Sequence, residues 1–279
     1  MKAVFDKSIH RDEFRLRILM TDGCNKNCSF CLNDFQPKPR GKPEFIDAAF
    51  AAQLISVYCH KMELIGKQPI VTFSGGEPGI HPEIHSIVRF AKGTGAVVKV
   101  VTNGTALYLT PLKEYVDCWH VSVTKKDENL IEFLEANPGY NVQIQHVLER
   151  DVKRRLILRG PYELIEFYGS RRLPIKLWVD FFDSNEEKRR SRGIIEGLAG
   201  LFPDYEVKSR FTGKQENRGI ACKDCRLDCV TLKALWVFPD NTVSTCPQGV
   251  HPRIGDGPYG WSMSTMTKAL EIHEYKEDL

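Results

Sequence analysis

Cysteine is where this sequence concentrates its capacity for chemistry. Of nine cysteines, three fall close together at Cys24, Cys28 and Cys31, four lie toward the other end at Cys222, Cys225, Cys229 and Cys246, and Cys59 and Cys118 stand alone. Thiols in a reducing compartment serve more often as metal ligands or catalytic groups than as disulfides, so two clustered sets point to two metal sites. The first set reads CxxxCxxC. Three thiolates at that spacing can hold three irons of a four-iron, four-sulfur (4Fe-4S) cube and leave the fourth iron open to a small chelating molecule. A closed zinc site ordinarily takes four protein ligands, and no fourth Cys or His stands beside this set. The second set reads CxxCxxxC and then Cys246. Four soft ligands close either a zinc site or a second iron-sulfur cluster, and spacing alone does not choose.

The elements that must position these thiols follow from hydropathy. From Phe14 to about Phe202, short β-branched apolar runs alternate with longer amphipathic stretches, the pattern of repeated βα units about a parallel sheet. Six strands are predicted, at Phe14–Met20, Pro69–Ser74, Ala96–Thr102, Cys118–Val123, Asn141–Leu148 and Pro174–Phe182. Helical patterns fall near Phe45–Glu63, His81–Lys92, Leu112–Tyr115, Glu128–Ala136, Pro161–Gly169 and Asn185–Leu201. Six units are too few for an eight-stranded barrel, so the expected fold is α/β, a partial (β/α)6 TIM-like barrel over residues 1–202. Residues 203–279 are rich in Cys, Gly and Pro, with a predicted hairpin of Ala234–Phe238 and Thr242–Thr245 around Pro239, Asp240 and Asn241. They read as a small C-terminal metal-binding extension. The first cysteine set follows directly on the first strand, at the strand C-terminal face where barrel enzymes place their chemistry.

Composition bounds the function classes. With 42% hydrophobic, 27% charged and 10% aromatic residues, the chain falls in the ordinary globular range, which excludes a wholly disordered, collagen-like or coiled-coil protein. A net charge of +3 lacks the basic excess of a duplex-binding module or a polybasic membrane patch. The first residues carry no apolar signal-peptide run, and no segment reaches the length of a membrane span. The expectation is a cytoplasmic protein that binds neither duplex nucleic acid nor membrane. The basic run Lys188, Arg189, Arg190 and Arg192 reads as a solvated helix face, and Cys59, within Leu54, Ile55, Val57 and Tyr58, as a packed hydrophobe.

Further motifs fall in chain order. Phe30 directly precedes Cys31; the second strand runs into Ser74, Gly75, Gly76, Glu77 and Pro78; the third ends in Thr102, Asn103 and Gly104; the fourth carries Ser122. On these residues the chain is identified as a member of the radical S-adenosylmethionine (SAM) superfamily over roughly residues 14–182. The resemblance implies a reduced 4Fe-4S cluster on Cys24, Cys28 and Cys31 that passes an electron to the sulfonium of bound S-adenosylmethionine, giving methionine and a 5′-deoxyadenosyl radical that abstracts a substrate hydrogen. It implies an electron donor such as flavodoxin or ferredoxin. It also implies that the Gly75–Pro78 backbone and Glu77 hold the methionine ammonium, with Asn103 and Ser122 near the ribose and Phe30, Ser74, Thr102, Gln145 and Asp180 completing the cofactor contacts. Strand alternation places Cys118 and His120 on the face of Ser122. By analogy with the family, Gln143 and Gln145, and Lys176, Trp178 and Asp180, face the same cavity.

The distal segment from Cys222 through Leu235, Pro239, Asp240 and Cys246 resembles the auxiliary-cluster tail of the GTP 3′,8-cyclases of molybdenum cofactor synthesis and the related SPASM and twitch extensions. The opening is similar too, with Leu16, Arg17 and Ile18 before Thr21, Asp22 and Cys24. That resemblance implies a second 4Fe-4S cluster. Departures bear on substrate: Cys229 is an extra cysteine, the end reads Glu274 to Leu279 without a Gly-Gly tail, and Thr124 stands where the family often has Asp. These read against cyclase activity. The function expected is radical modification of a small-molecule or nucleotide-like biosynthetic intermediate. The enzyme alternative is a SPASM-type maturase of a ribosomal peptide, which the few residues before Phe14 make less favoured. The alternative outside catalysis is an iron-sulfur binding or sensing protein, against which the complete motif set argues.

Overall fold

The computed structural model describes residues 14–28, 31, 42–148, 159–179, 185–209 and 234–244. Strands β1 (Arg15–Leu19), β2 (Ile70–Ser74), β3 (Val97–Thr102), β4 (Cys118–Ser122), β5 (Val142–Leu148) and β6 (Ile175–Val179) appear where the six predicted strands lie. Helices α1 (Ala48–Leu64), α2 (Ile84–Gly93), α3 (Glu128–Ala136), α4 (Arg159–Gly169) and α5 (Asn185–Leu201) match five of the helical patterns, and the sixth is a 3₁₀ segment, Thr110–Tyr115. The predicted hairpin is present as β8 (Ala234–Val237) and β9 (Val243–Ser244), paired antiparallel. A three-residue strand, β7 (Val207–Ser209), was not expected. Parallel strands alternating with helices give the α/β, partial (β/α)6 barrel class. No helix among the described residues is long and apolar enough to cross a membrane.

The chain divides into two compact units. In the unit that begins the fold, the strand order is β3-β2-β1-β8-β9, and β8 joins β1 in parallel with Arg17 opposite Trp236. Leu16, Ile18, Met20, Val71, Phe73, Val98 and Val100 form an apolar face with no exposure, against which α1 and α2 pack. Each such residue contributes about 1.5–3 kcal/mol by leaving water. The α1 sequence suits this: Asp47 caps its start by accepting the Phe50 amide at 2.7 Å. Phe50, Ala51, Leu54, Ile55, Tyr58, Cys59 and Met62 then recur at helical spacing and are buried.

The second unit carries β4, β5, β6 and β7, all parallel in that order. Its core includes Trp119, Val121, Ile144, Leu148, Ile165, Tyr168, Leu177 and Ile195, all nearly or fully buried. Asp127 caps α3 by accepting the Leu130 amide at 3.1 Å.

Candidate active site

Loops at the C-terminal ends of β1, β2 and β3 are fastened together by their main chains. Gly76 N–H donates to Thr21 O at 2.7 Å, and Glu77 N–H donates to Gly23 O at 2.8 Å. Such an approach leaves no room for side chains. A Cβ on Gly76 would stand 1.7 Å from the Gly23 carbonyl oxygen, and Gly75 takes φ +123° with its would-be Cβ 2.5 Å from Thr21 O. Only glycine meets both demands. The Gly-Gly pair thus holds the segment leading into Cys24 against the end of β2. From its other side that segment is tied to residues 44 and 45. The Thr21 hydroxyl donates to Glu44 O at 2.6 Å, Asp22 accepts the Glu44 amide at 2.8 Å, and Thr21 bridges Phe45.

Glu77 is wholly buried and its carboxylate is encircled by donors. It accepts from the Thr102 hydroxyl and the Asn103 amide, both at 2.7 Å, from the Gly79 amide at 3.0 Å and from the Ala106 amide at 3.2 Å. A carboxylate can be buried without a counter-charge when donors surround it in this way. The end of β3 is thereby locked to the loop after β2. Pro78 opens the 3₁₀ turn Pro78–Ile80, which His81 follows. His81 is buried, with Nδ1 accepting from the Glu83 amide at 3.0 Å and Nε2 3.0 Å from Ile46 O. Burial lowers its pKa, consistent with a neutral ring that donates from Nε2.

Asn103 connects β3 to the first cysteine. Its side-chain amide donates to Asn25 Oδ1 at 2.7 Å and reaches Cys24 Sγ at 3.6 Å. The Lys26 amide points at the same sulfur from 3.3 Å, and Lys26 Nζ donates to Asn103 O at 2.9 Å. Asn25 in turn donates to the Thr105 hydroxyl at 2.8 Å. N–H donors around a cysteine sulfur tune any iron-sulfur cluster that it holds. Cys24 is exposed, Cys28 and Cys31 are partly so, and the Cys31 amide donates to Cys28 O at 3.2 Å. Ser74, 8% exposed, points an Oγ without a protein partner from the sheet face opposite the apolar one.

In the second unit, Ser122 ends β4 partly exposed, and Cys118 and His120 on its face are buried. Gln145 on β5 lies 2.8 Å from His120 Nδ1, and Gln143 is buried. Lys176 Nζ stands 5.2 Å over the Trp178 ring. Phe30, Asp180, Cys222, Cys225, Cys229 and Cys246 lie outside the described residues. Of the lone cysteines, Cys59 is buried with the Thr94 hydroxyl 3.2 Å from its sulfur, and burial raises its pKa.

Sequence reasoning passed over Thr72, Lys99 and Trp236, which line the same sheet face as Ser74. One signal was available: Lys99 interrupts a run of four valines, Val97, Val98, Val100 and Val101, where a solvated strand would have alternated.

Three thiols within eight residues of sequence and N–H donors aimed at Cys24 are a donor set whose chemistry fits a 4Fe-4S cluster. The class so defined is an α/β protein with a candidate iron-sulfur site at the strand C-terminal ends. The Radical SAM superfamily matches residues 18–165, more than half of the chain, and the chain belongs to that superfamily of enzymes. Membership implies a 4Fe-4S cluster and S-adenosylmethionine. Among curated relatives, the GTP 3′,8-cyclase of Chlorobaculum tepidum is 34% identical over 94 residues, covering 33% of this chain and 26% of that protein. The GTP 3′,8-cyclase of Vibrio vulnificus is 26% identical over 99 residues, covering 35% and 28%. The chain thus spans about a quarter of the length of these relatives. Among solved structures, Streptococcus suis SuiB bound to S-adenosylmethionine aligns with a TM-score of 0.64 at 12% identity, over 94% of this chain and 68% of that one. SuiB bound to the precursor peptide SuiA aligns with a TM-score of 0.60 at 11% identity, over 90% and 64%. At such identities the likeness is one of fold.

Proposed function

We propose that this enzyme cleaves S-adenosylmethionine reductively at a cluster held by Cys24, Cys28 and Cys31, and modifies a small-molecule or nucleotide-like biosynthetic intermediate. The observation that carries the reading is the fastening of the Gly75–Gly76 loop onto Thr21–Gly23, which holds that loop against the segment leading into Cys24. The 4Fe-4S cluster with bound S-adenosylmethionine supplies one-electron cleavage of the sulfonium and hydrogen-atom abstraction. The chain supplies position. The Gly75–Pro78 loop takes the methionine ammonium, with the Glu77 charge behind it and Thr102 and Asn103 holding that charge in place. Asn103 and the Lys26 amide brace the Cys24 sulfur.

The reading extends to residues 203–279 as a second module, in which Cys222, Cys225, Cys229 and Cys246 hold an auxiliary iron-sulfur cluster. A Cys-, Gly- and Pro-rich segment of this size draws much of its folding free energy from metal-ligand bonds. Four bound cysteines close the cluster coordinatively, which favours electron transfer or a structural role over direct substrate ligation. Anaerobically reconstituted protein should contain about eight irons and about eight sulfides per chain, four of each per cube. About four irons with one zinc would replace the auxiliary cluster by a zinc site.

A further inference from the structure

Three side chains beside Cys24 close a ring of hydrogen bonds. Asn103 Nδ2 donates to Asn25 Oδ1 at 2.7 Å, Asn25 Nδ2 donates to the Thr105 hydroxyl at 2.8 Å, and that hydroxyl donates to Asn103 Oδ1 at 2.9 Å. The turn that allows this is local. Gly104 takes φ +112°, which brings the chain back so that the Thr105 amide also donates to Asn103 Oδ1, at 3.3 Å. A main-chain N–H can only donate, so the oxygen of the Asn103 side chain must face Thr105 and its nitrogen must face the cysteine loop. That nitrogen carries two N–H groups. One serves Asn25, and the other is directed at Cys24 Sγ, 3.6 Å away. Each bond polarises the next in the same sense around the ring, which strengthens the donor that faces the sulfur. From outside, Lys26 Nζ donates to Asn103 O at 2.9 Å and so sets an ammonium beside the ring, while the Lys26 amide points at Cys24 Sγ from 3.3 Å.

Stability does not account for the arrangement. Asn25 is exposed and Asn103 and Thr105 are half-buried, so water could serve the same groups, and the loops are already fastened through the Gly76 and Glu77 amides. What the ring adds is direction, because it holds one N–H on the sulfur of the first cysteine. Hydrogen bonds to the sulfurs and the charge nearby are among the levers that set the potential of an iron-sulfur cluster. Reduction adds one electron from an external one-electron donor and neither forms nor breaks a bond. The reduced cluster is the more negative state, so donors and cations beside it favour reduction. We infer that the Asn25–Thr105–Asn103 ring and the Lys26 ammonium raise the reduction potential of the cluster held by Cys24. Asn103 reaches the ligand sulfur, and Asn25 and Thr105 are positioning residues that act through it. The inference rests on the functional reading above, to which it adds the control of the electron-accepting step.

The test is the midpoint potential of the first cluster in the anaerobically reconstituted full chain, read by electron paramagnetic resonance as dithionite is added. The signal of that cluster is the one missing from the triple variant Cys24→Ala, Cys28→Ala, Cys31→Ala. S-adenosylmethionine is left out, so that no effect of a variant on cofactor binding enters the potential. Asn103→Asp exchanges the N–H for a carboxylate oxygen and should lower the reduced-to-oxidised ratio at a fixed potential about tenfold or more, at about 59 mV per tenfold for one electron. Thr105→Val keeps the shape and the atoms next to the sulfur but opens the ring, and should lower the ratio about two- to threefold. Lys26→Met keeps the amide and removes the charge. It should lower the ratio about threefold, and the gap from wild type should shrink as salt screens the ammonium. Potentials of all three variants equal to or above that of wild type would overturn the inference. Iron content and melting temperature on the same samples separate a lost cluster from a shifted one, and should Asn103→Asp hold no iron, Thr105→Val and Lys26→Met decide. A wild-type chain without a reducible first cluster overturns the functional reading, whereas a normal cluster indifferent to the ring and to Lys26 overturns this inference alone.

Discussion

The two ends of the first unit's sheet are built on opposite principles. At the N-terminal end of the strands, a fully buried Tyr58 hydroxyl contacts Phe14 O at 2.9 Å and Ile70 O at 3.2 Å and accepts the Ile70 amide at 3.0 Å. Nearby, the Asp117 carboxylate accepts from Lys92 Nζ at 2.6 Å and from the Val98 amide at 2.8 Å. Both groups have partners within the fold, and burial raises the Tyr58 pKa far above its ordinary value, so the phenol stays protonated. At the C-terminal end, the loops are equally well fastened, yet they present an exposed Cys24, backbone stripped of side chains at Gly75 and Gly76, and an unpartnered Ser74 hydroxyl. One end is closed by partners within the fold; the other is fastened yet exposed, the end at which βα barrels place their chemistry.

That contrast can be broken most sharply at Gly76. In Gly76→Ala the Cβ collides with the Gly23 carbonyl, so the loop after β2 must withdraw from the segment leading into Cys24. A shift of about 1 Å in a positioned site costs about 100-fold in rate. The expected outcome is at least that loss in S-adenosylmethionine cleavage, measured as 5′-deoxyadenosine, with global stability changed far less. Full activity in this variant would contradict the role given to the Gly75–Gly76 loop.

The opposite end should respond in the opposite way. Tyr58→Phe orphans the buried Ile70 amide and removes the one hydroxyl proton shared by the Phe14 and Ile70 carbonyls, and an orphaned buried group costs about 1–3 kcal/mol. Urea unfolding should show a loss of that order, with S-adenosylmethionine affinity retained. A Tyr58→Phe protein of wild-type stability but impaired cofactor binding would reverse the comparison.

His81 sharpens it further, because a titrating group sits at the open end. Burial lowers its pKa from the ordinary 6.5, so the fold favours the neutral ring. The stability this confers is complete above about pH 6.5 and is lost as pH falls from there toward the lowered native value. The expected result is an acid-side decline in unfolding free energy, about 1.4 kcal/mol per unit of pKa shift, that His81→Asn flattens. A wild-type slope in that variant would place the titration elsewhere.

Much of this was legible in the sequence because period and punctuation carry it. The β-branched runs marked β1 to β6, and α3 and α5 begin and end where the predicted helices do. The hairpin was marked by Pro239, Asp240 and Asn241, and Asn241 takes φ +61° there. What was not legible depends on distance along the chain. Three residues are too few for β7 to show a period, and nothing local announces that β8 lies parallel to β1. Motif order located the Gly75–Pro78 loop, but not the enclosure of the Glu77 carboxylate by Thr102, Asn103 and Ala106, since those donors arrive from another strand. Lys99 is read as a charge in a valine run until register places it beside Thr72 and Arg17.

The most direct test of the central claim is 5′-deoxyadenosine formation by anaerobically reconstituted, dithionite-reduced protein supplied with S-adenosylmethionine. The wild-type chain should produce 5′-deoxyadenosine and methionine in equal amounts, and the triple variant Cys24→Ala, Cys28→Ala, Cys31→Ala should produce neither. Cleavage that survives in the triple variant, or a wild-type protein that carries its first cluster and binds S-adenosylmethionine without cleaving it, would contradict the account.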